Sequence, residues 1–151
     1  MDGRIMRMID GKAFTLIQRT RQDTDFYYLM GRFFGSRTIA NALGMPIYDD
    51  EHRHWWLILN PEQYPIACAS LEKKPRGKVA TLKSAWVEPD ERGHGFYDWL
   101  FVARLQYAGQ WQVKIISTAT EMSKHTHERY GFRCVGMRGK YYTYWKESVN
   151  V

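Results

Sequence analysis

Apolar positions alternate with polar ones from Ala13 to Thr20 (AFTLIQRT), the period of a half-buried strand. Asp23-Thr24-Asp25 then offers a helix start. Phe26, Met30, Phe33 and Phe34 fall on one face of a helix over Phe26–Phe34, which Gly35 stops. Ser36 caps a second short helix with Ile39, Ala42 and Leu43 inward and Gly44 as its stop. Pro46–His54 reads as a polar loop. Two near-continuous apolar runs follow, Trp55–Leu59 and Ile66–Leu71, separated by the Asn60-Pro61 breaker. Lys73–Lys78 is a basic hairpin turn and Val79–Val87 a third strand, ended by Glu88-Pro89.

A glycine-rich turn leads directly into a helix over Phe96–Ala108. Its apolar stripe is Phe96, Trp99, Leu100, Ala103 and Tyr107. Lys114–Thr118 is a strand and Ser123–Tyr130 a short helix closed by Gly131. Arg133–Met137 and Tyr141–Trp145 form a hairpin around Arg138-Gly139-Lys140. The order β-αα-βββ-α-β-α-ββ predicts a mixed α/β fold. One twisted, mostly antiparallel sheet contains a central βαβ unit and carries helices on both faces. No repeat or linker divides the 151 residues, so a single domain over 1–151 is expected.

No apolar run approaches the ~18 residues of a membrane-spanning helix, and the N-terminal stretch lacks the apolar core of a secretory signal. The two cysteines, Cys68 and Cys134, are far apart. That excludes a disulfide scaffold and a cysteine-rich zinc site, and predicts two buried thiols in a reducing cytoplasm. His52-x-His54 lacks a third ligand at useful spacing, so no metal is expected.

Lys and Arg number 22 against 16 Asp and Glu, a net charge of +6. Such an excess suits an anionic partner such as nucleic acid, phosphate or a phosphorylated cofactor. Six Trp and ten Tyr serve either a core or a stacking platform.

The chemistry concentrates in Val87–Tyr97 (VEPDERGHGFY). A strand ends, Arg92-Gly93-His94-Gly95 turns, and Phe96 opens a helix. Backbone amides and the helix dipole favour an anion there, glycine lets the backbone approach it, and Arg92 adds charge-assisted donors. In these residues the chain resembles the GNAT superfamily of acyl-CoA-dependent N-acyltransferases. Val87-Glu88-Pro89 matches that family's strand end. Arg92-x-x-Gly95-x-Tyr97 matches its phosphate motif, Arg/Gln-x-x-Gly-x-Gly/Ala, except at the last position. His127-Glu128-Arg129-Tyr130-Gly131-Phe132 is similar to the family's Tyr-x-x-x-Gly-Phe, with His127 in place of the first tyrosine.

The resemblance implies acyl-CoA, normally acetyl-CoA, as donor. The diphosphate would lie on Gly93, His94, Gly95 and their neighbours Phe96 and Tyr97. The pantetheine arm would enter between two splayed strands, its thioester beside the amides of Ala85, Trp86 and Val87. His127 would protonate the leaving thiolate, with Tyr130 the next candidate. Ser84 and Ser123 supply polar contacts.

Lys73, Lys74, Arg76 and Lys78 are candidates for the cofactor's 3′-phosphate. On the acceptor side, Asp50 and His54 are candidate proton acceptors. Arg19, Arg21, Arg32 and Arg37 come from early elements. Arg133, Arg138 and Lys140 interleave with Tyr141, Tyr142, Tyr144 and Trp145, of which Tyr142 and Tyr144 share one strand face. Basic residues among aromatics favour an amine carried on nucleic acid, tRNA or a modified DNA base, with small-molecule or protein amines as alternatives. The departures at Tyr97 and His127 leave other readings open: a binding or inhibitory module that has lost ordinary acetyl-CoA use, or a nucleobase-modifying enzyme with another donor. Tyr141–Trp145, read as a sheet edge, would pair in a homodimer.

Overall fold

A computed structural model describes residues 4–147. Eight strands form one sheet in the order β1-β2-β3-β4-β5-β6-β8-β7. They are β1 (Ile5–Ile9), β2 (Lys12–Arg19), β3 (Arg53–Leu59), β4 (Pro65–Glu72), β5 (Val79–Val87), β6 (Lys114–Ala119), β7 (Arg133–Arg138) and β8 (Tyr141–Glu147). The helices are α1 (Phe26–Phe34), α2 (Arg37–Leu43), α3 (Phe96–Ala108) and α4 (Lys124–Arg129). Every neighbouring pair of strands is antiparallel except β5–β6.

The expected mixed sheet with helices on both faces is present. One core lies under α1 and α2 and joins Phe26, Met30, Phe33 and Ile39 to Ile17, Trp55, Leu57, Cys68 and Trp86. The other lies under α3 and joins Phe96, Trp99, Leu100 and Phe101 to Leu16, Trp56, Ala69, Leu82, Ile115 and Tyr144. β3 and β4 feed both cores, which is why their sequences are near-continuous apolar runs.

β1 extends the sheet beyond the expected order. Its signal is Asp10-Gly11, a two-residue turn with both φ positive (50° and 75°) between apolar flanks. Other expectations shift locally. Ala42 is exposed and Leu43 only half-buried, while Leu29 is buried. The Pro46–His54 stretch buries Ile47, and its Arg53, also buried, begins β3. Cys134 is exposed on edge strand β7, so only Cys68 is a buried thiol. Tyr141–Trp145 belongs to β8, which lies between β6 and β7, so it is no sheet edge.

The expected stripe of α3 is too narrow. Ala103 and Tyr107 are half-buried, whereas Phe101, Arg104 and Ala108 are fully buried. The helix packs on the sheet and also against the α4 region, where Phe101 meets His127, Tyr130 and Phe132. Two packing surfaces widen the buried arc toward Phe101 and Arg104. No described helix is long and apolar enough to cross a membrane.

Gly11→Val would force a β-branched residue into the left-handed region at the β1–β2 turn. A loss of about 1–2 kcal/mol in denaturant-measured stability is expected. An unchanged midpoint would mean that the turn is not held in this conformation.

Candidate functional site

β5 and β6 pair over three residues only: Val79↔Lys114, Ala80↔Ile115 and Thr81↔Ile116. Beyond Thr81, β5 keeps its antiparallel partner β4, and β6 keeps β8 through Ala119↔Tyr142. The two central strands therefore fork. A bulge in β5 lies at the base of the fork. Ala69 pairs with Ala85 but the next residue, Ser70, pairs with Lys83, leaving Ser84 as the extra residue. The bulge reverses the alternation of the strand. Ala80 and Leu82 face the α3 core, and so do Ala85 and Val87, while Trp86 joins the α1/α2 core.

The mouth of the fork leads into the glycine loop. Pro89–Glu91 forms one 3-10 turn. Gly93 and Gly95 follow with φ of +91° and +82°, and an added Cβ at either would meet no atom within 4 Å. Gly93, His94 and Gly95 are exposed. Gly95 begins α3 without a side-chain cap, so the amides of Phe96, Tyr97 and Asp98 have no intrahelical acceptor. Phe96 itself is buried, packed on Phe14 and Trp99. This is an open cradle of backbone donors at the positive end of a helix. Arg92 bends back from it: its Nε donates to the Val87 carbonyl at 3.0 Å, and its guanidinium lies 4.9 Å over the Trp86 ring. Tyr97 runs along α3, with its ring 6.0 Å from Phe101.

His127 is only 1% exposed. Its Nδ1 is 2.8 Å from the Ser123 carbonyl, which can only accept, so Nδ1 carries the proton. Its Nε2 is left to accept from the Ser117 hydroxyl at 2.6 Å. Burial pushes the imidazole below the usual histidine range. Both nitrogens are thus engaged in a neutral ring, and the expected role of His127 as proton donor is corrected: it holds no proton free to give. Tyr130 is half-buried and stacks on Phe101 at 5.5 Å. Ser123 opens α4, and its Oγ accepts from the Thr120 amide at 3.0 Å.

Several acceptor-side expectations change. Asp50 binds Arg53 at 3.0 Å. His54 contacts the Tyr107 hydroxyl at 3.3 Å on the α3 face. Both lie where β3 begins, at the end of the sheet that carries the β4–β5 turn, and neither lines the fork. The same turn carries Lys73, Lys74, Arg76 and Lys78. It lies a nine-residue strand away from the glycine loop, about 26 Å at strand rise, too far for a phosphate of the same cofactor end.

Tyr142 and Tyr144 do share one face, but it is the α4 face. Tyr142 bonds Glu121, and Tyr144 is buried and bonds Glu128. Neither is a stacking platform on the α1/α2 side. Arg133 and Lys114 both sit over Trp145, at 4.9 and 3.6 Å. Tyr141 meets the C-terminal end of α2, where a Cβ at Gly44 would lie 3.6 Å from its hydroxyl. Lys140 lies 5.7 Å over the Tyr141 ring, and Arg37 and Arg138 are exposed.

Arg104 and Ser70 were absent from the expected site. Arg104 is buried in α3, and its Nη1 donates to the Ser70 and Lys83 carbonyls, both at 3.2 Å. The Ser70 Oγ is buried without a partner at the bulge. An arginine within the buried arc of α3 was the available signal for the first. The second had none, because the bulge is not visible in composition.

Comparisons with known proteins agree with this geometry. The family model described as "Acetyltransferase (GNAT) family" matches residues 18–132. The fold is similar to an acyl-CoA N-acyltransferase from Pseudomonas aeruginosa, with TM-score 0.70, 14% identity, and coverage of 88% of this chain and 99% of that one. It is also similar to a GNAT-family acetyltransferase from Staphylococcus aureus (TM-score 0.65, 14% identity, 89% and 98% covered). A third similar structure is an acetyltransferase from Thermus thermophilus (TM-score 0.62, 19% identity, 89% and 96% covered). No curated protein sequence matches significantly. The chain belongs to the GNAT acetyltransferase family.

His127→Phe would strip the Ser117 hydroxyl and the Ser123 carbonyl of their partner, costing about 1–3 kcal/mol in urea denaturation at neutral pH. The folded-state pKa of His127 is depressed, so the unfolded chain takes up the proton first. Stability is therefore full above the ordinary value of about 6.5 and falls as pH drops below it. His54, also depressed by burial, contributes to the same slope. The variant should lose part of that slope, and an unchanged slope would contradict the buried neutral ring.

Proposed function

We propose that the fork and the glycine loop form the donor site of an N-acyltransferase that uses acetyl-CoA. The supporting observation is the three-pair β5–β6 ladder opening directly onto a positive-φ glycine loop at an uncapped helix start. An acyl-CoA N-acyltransferase is the activity class of the family; the acetyl donor and the acceptor are part of this proposal. The diphosphate takes the amides from Gly93 to Tyr97, and Arg92 swings from Val87 and Trp86 to add charge. The pantetheine arm pairs with the unpaired edges of the fork.

The Glu88 amide donates to the Ile66 carbonyl of β4, so by strand alternation the amides of Ala85 and Val87 are the ones left for the fork edge, and in this reading they stabilise the oxyanion of the tetrahedral intermediate. A neutral amine attacks from the α1/α2 side. The N–C bond forms, the C–S bond breaks, and the proton lost by nitrogen ends on sulfur. Tyr130, whose phenol stacks beside His127 on Phe101, delivers that proton in place of His127.

The acceptor amine is proposed to be carried on nucleic acid, tRNA or DNA. The support is the +6 charge, with exposed Arg37 on α2, and Arg138 and Lys140 in the β7–β8 turn whose Tyr141 meets α2. Nucleic-acid binding carried by these residues weakens as salt rises, because each neutralised phosphate releases condensed counterion.

Gly95→Asp adds a carboxylate where the anion must approach, and Arg92→Ala removes a charged donor. Each should weaken CoA binding by about 1.5–3 kcal/mol in calorimetry, with the fold retained by circular dichroism. Unchanged affinity in both would remove the donor site from this loop. For the acceptor, a gel-shift series with tRNA and single-stranded DNA should show a steep salt slope, reduced by roughly one charge in Arg138→Ala or Lys140→Ala. Binding weaker than about 10⁻⁴ M at physiological salt would move the reading to a small-molecule or protein amine.

A further inference from the structure

Arg104 is 2% exposed. Its Nε donates to the Leu100 carbonyl at 3.3 Å, and Nη1 donates to the carbonyls of Ser70 and Lys83. Those two residues form the register pair immediately before the extra residue Ser84, so the guanidinium is anchored beside the bulge. The Phe101 ring lies 5.6 Å away. All of these partners are neutral. Among the described residues no carboxylate forms an ion pair with Arg104.

A guanidinium stays protonated in proteins, so α3 carries a whole positive charge into the base of the fork. Desolvating a charge without an opposite partner is costly. The groups around it do not supply one. Cys68 on β4 is a thiol whose ionisation burial opposes, His127 on α4 is neutral, and Ser117 on β6 is a hydroxyl bonded to His127. Glu128 is exposed and takes the Tyr144 hydroxyl at 2.7 Å. The Lys83 side chain lies on the opposite face from Leu82 by strand alternation.

We infer that Arg104 is the electrostatic partner of the thiolate that leaves in the fork. The inference rests on the donor-site reading above. When the tetrahedral intermediate collapses, the C–S bond breaks and its electron pair stays on sulfur. The buried guanidinium stabilises that anion until the proton released by the amine reaches it. Fixed charge in a water-poor site is effective because it needs no reorganisation as the reaction proceeds. Such a charge also compensates for an imidazole that has no proton to give. Arg104 is thereby assigned to leaving-group stabilisation, a role to which the family's motif residues in this chain do not point.

The test is the acidity of free CoA bound to the protein, followed by the ultraviolet absorbance of its thiolate as pH is raised. In the wild-type protein the bound thiol should titrate about one unit or more below the thiol of free CoA titrated in the same buffer. Arg104→Gln keeps a donor for the bulge carbonyls but removes the charge, and should return the titration to that of free CoA, with the CoA Kd measured at or below pH 7, where the thiol is protonated, changed less than threefold. Arg104→Met should do the same, and Arg104→Lys should retain part of the depression. A wild-type bound thiol that titrates at the free value overturns the inference without any variant, so variants that fail to fold do not protect it. A depression that persists in Arg104→Gln overturns it equally. Absence of saturable CoA binding to the wild-type protein would instead refute the donor site, and this inference with it.

Discussion

The parallel ladder between β5 and β6 ends after three pairs, and the candidate site depends on that termination. Parallel strands joined by α3 are held together at one end. At the other, β5 is committed to β4 and β6 to β8, each by its own antiparallel register. The Ser84 bulge reverses the alternation of β5 past Lys83. Trp86 therefore enters the α1/α2 core while Ala85 and Val87 stay over α3. Backbone groups in the middle of the sheet are thus left for another extended chain, as at an edge strand. An extended pantetheine arm is such a chain.

Polar groups are sparse in the α3 core, and those present gather near the fork. Ser117, the first β6 residue past the ladder, binds His127; Arg104 binds the two carbonyls at the bulge. Around them the packing is aromatic, with Phe101 touching Tyr97, His127, Tyr130 and Phe132. An apolar surround raises the value of each hydrogen bond and penalises each unpaired group. It explains why His127 is locked as a neutral ring.

Much of this was legible in the sequence. Phe26–Phe34 and Phe96–Ala108 are helices with the expected bounds, and Val79–Val87 is a strand as expected. Gly and Pro punctuate those elements, and punctuation is local. What escaped was non-local. Asp50 and His54 looked like proton acceptors because they cluster in sequence, yet β3 carries them to the closed end of the sheet. His127 stood where the family motif has tyrosine, but its neighbours Ser117 and Ser123 decide which proton it holds. Tyr142 and Tyr144 were correctly placed on one face, and only the packing of α4 shows which face that is.

The central claim is that the fork and the loop beyond it receive the donor. Hydrogen–deuterium exchange of the wild-type protein with and without CoA tests it most directly, because the amides proposed to be occupied are slowed only where the ligand lies. The account predicts new protection confined to the β5 segment from Ala85 to Val87, the loop and first turn from Gly93 to Asp98, and β6 beyond Ile116. Protection that appears elsewhere and spares these three segments would contradict it.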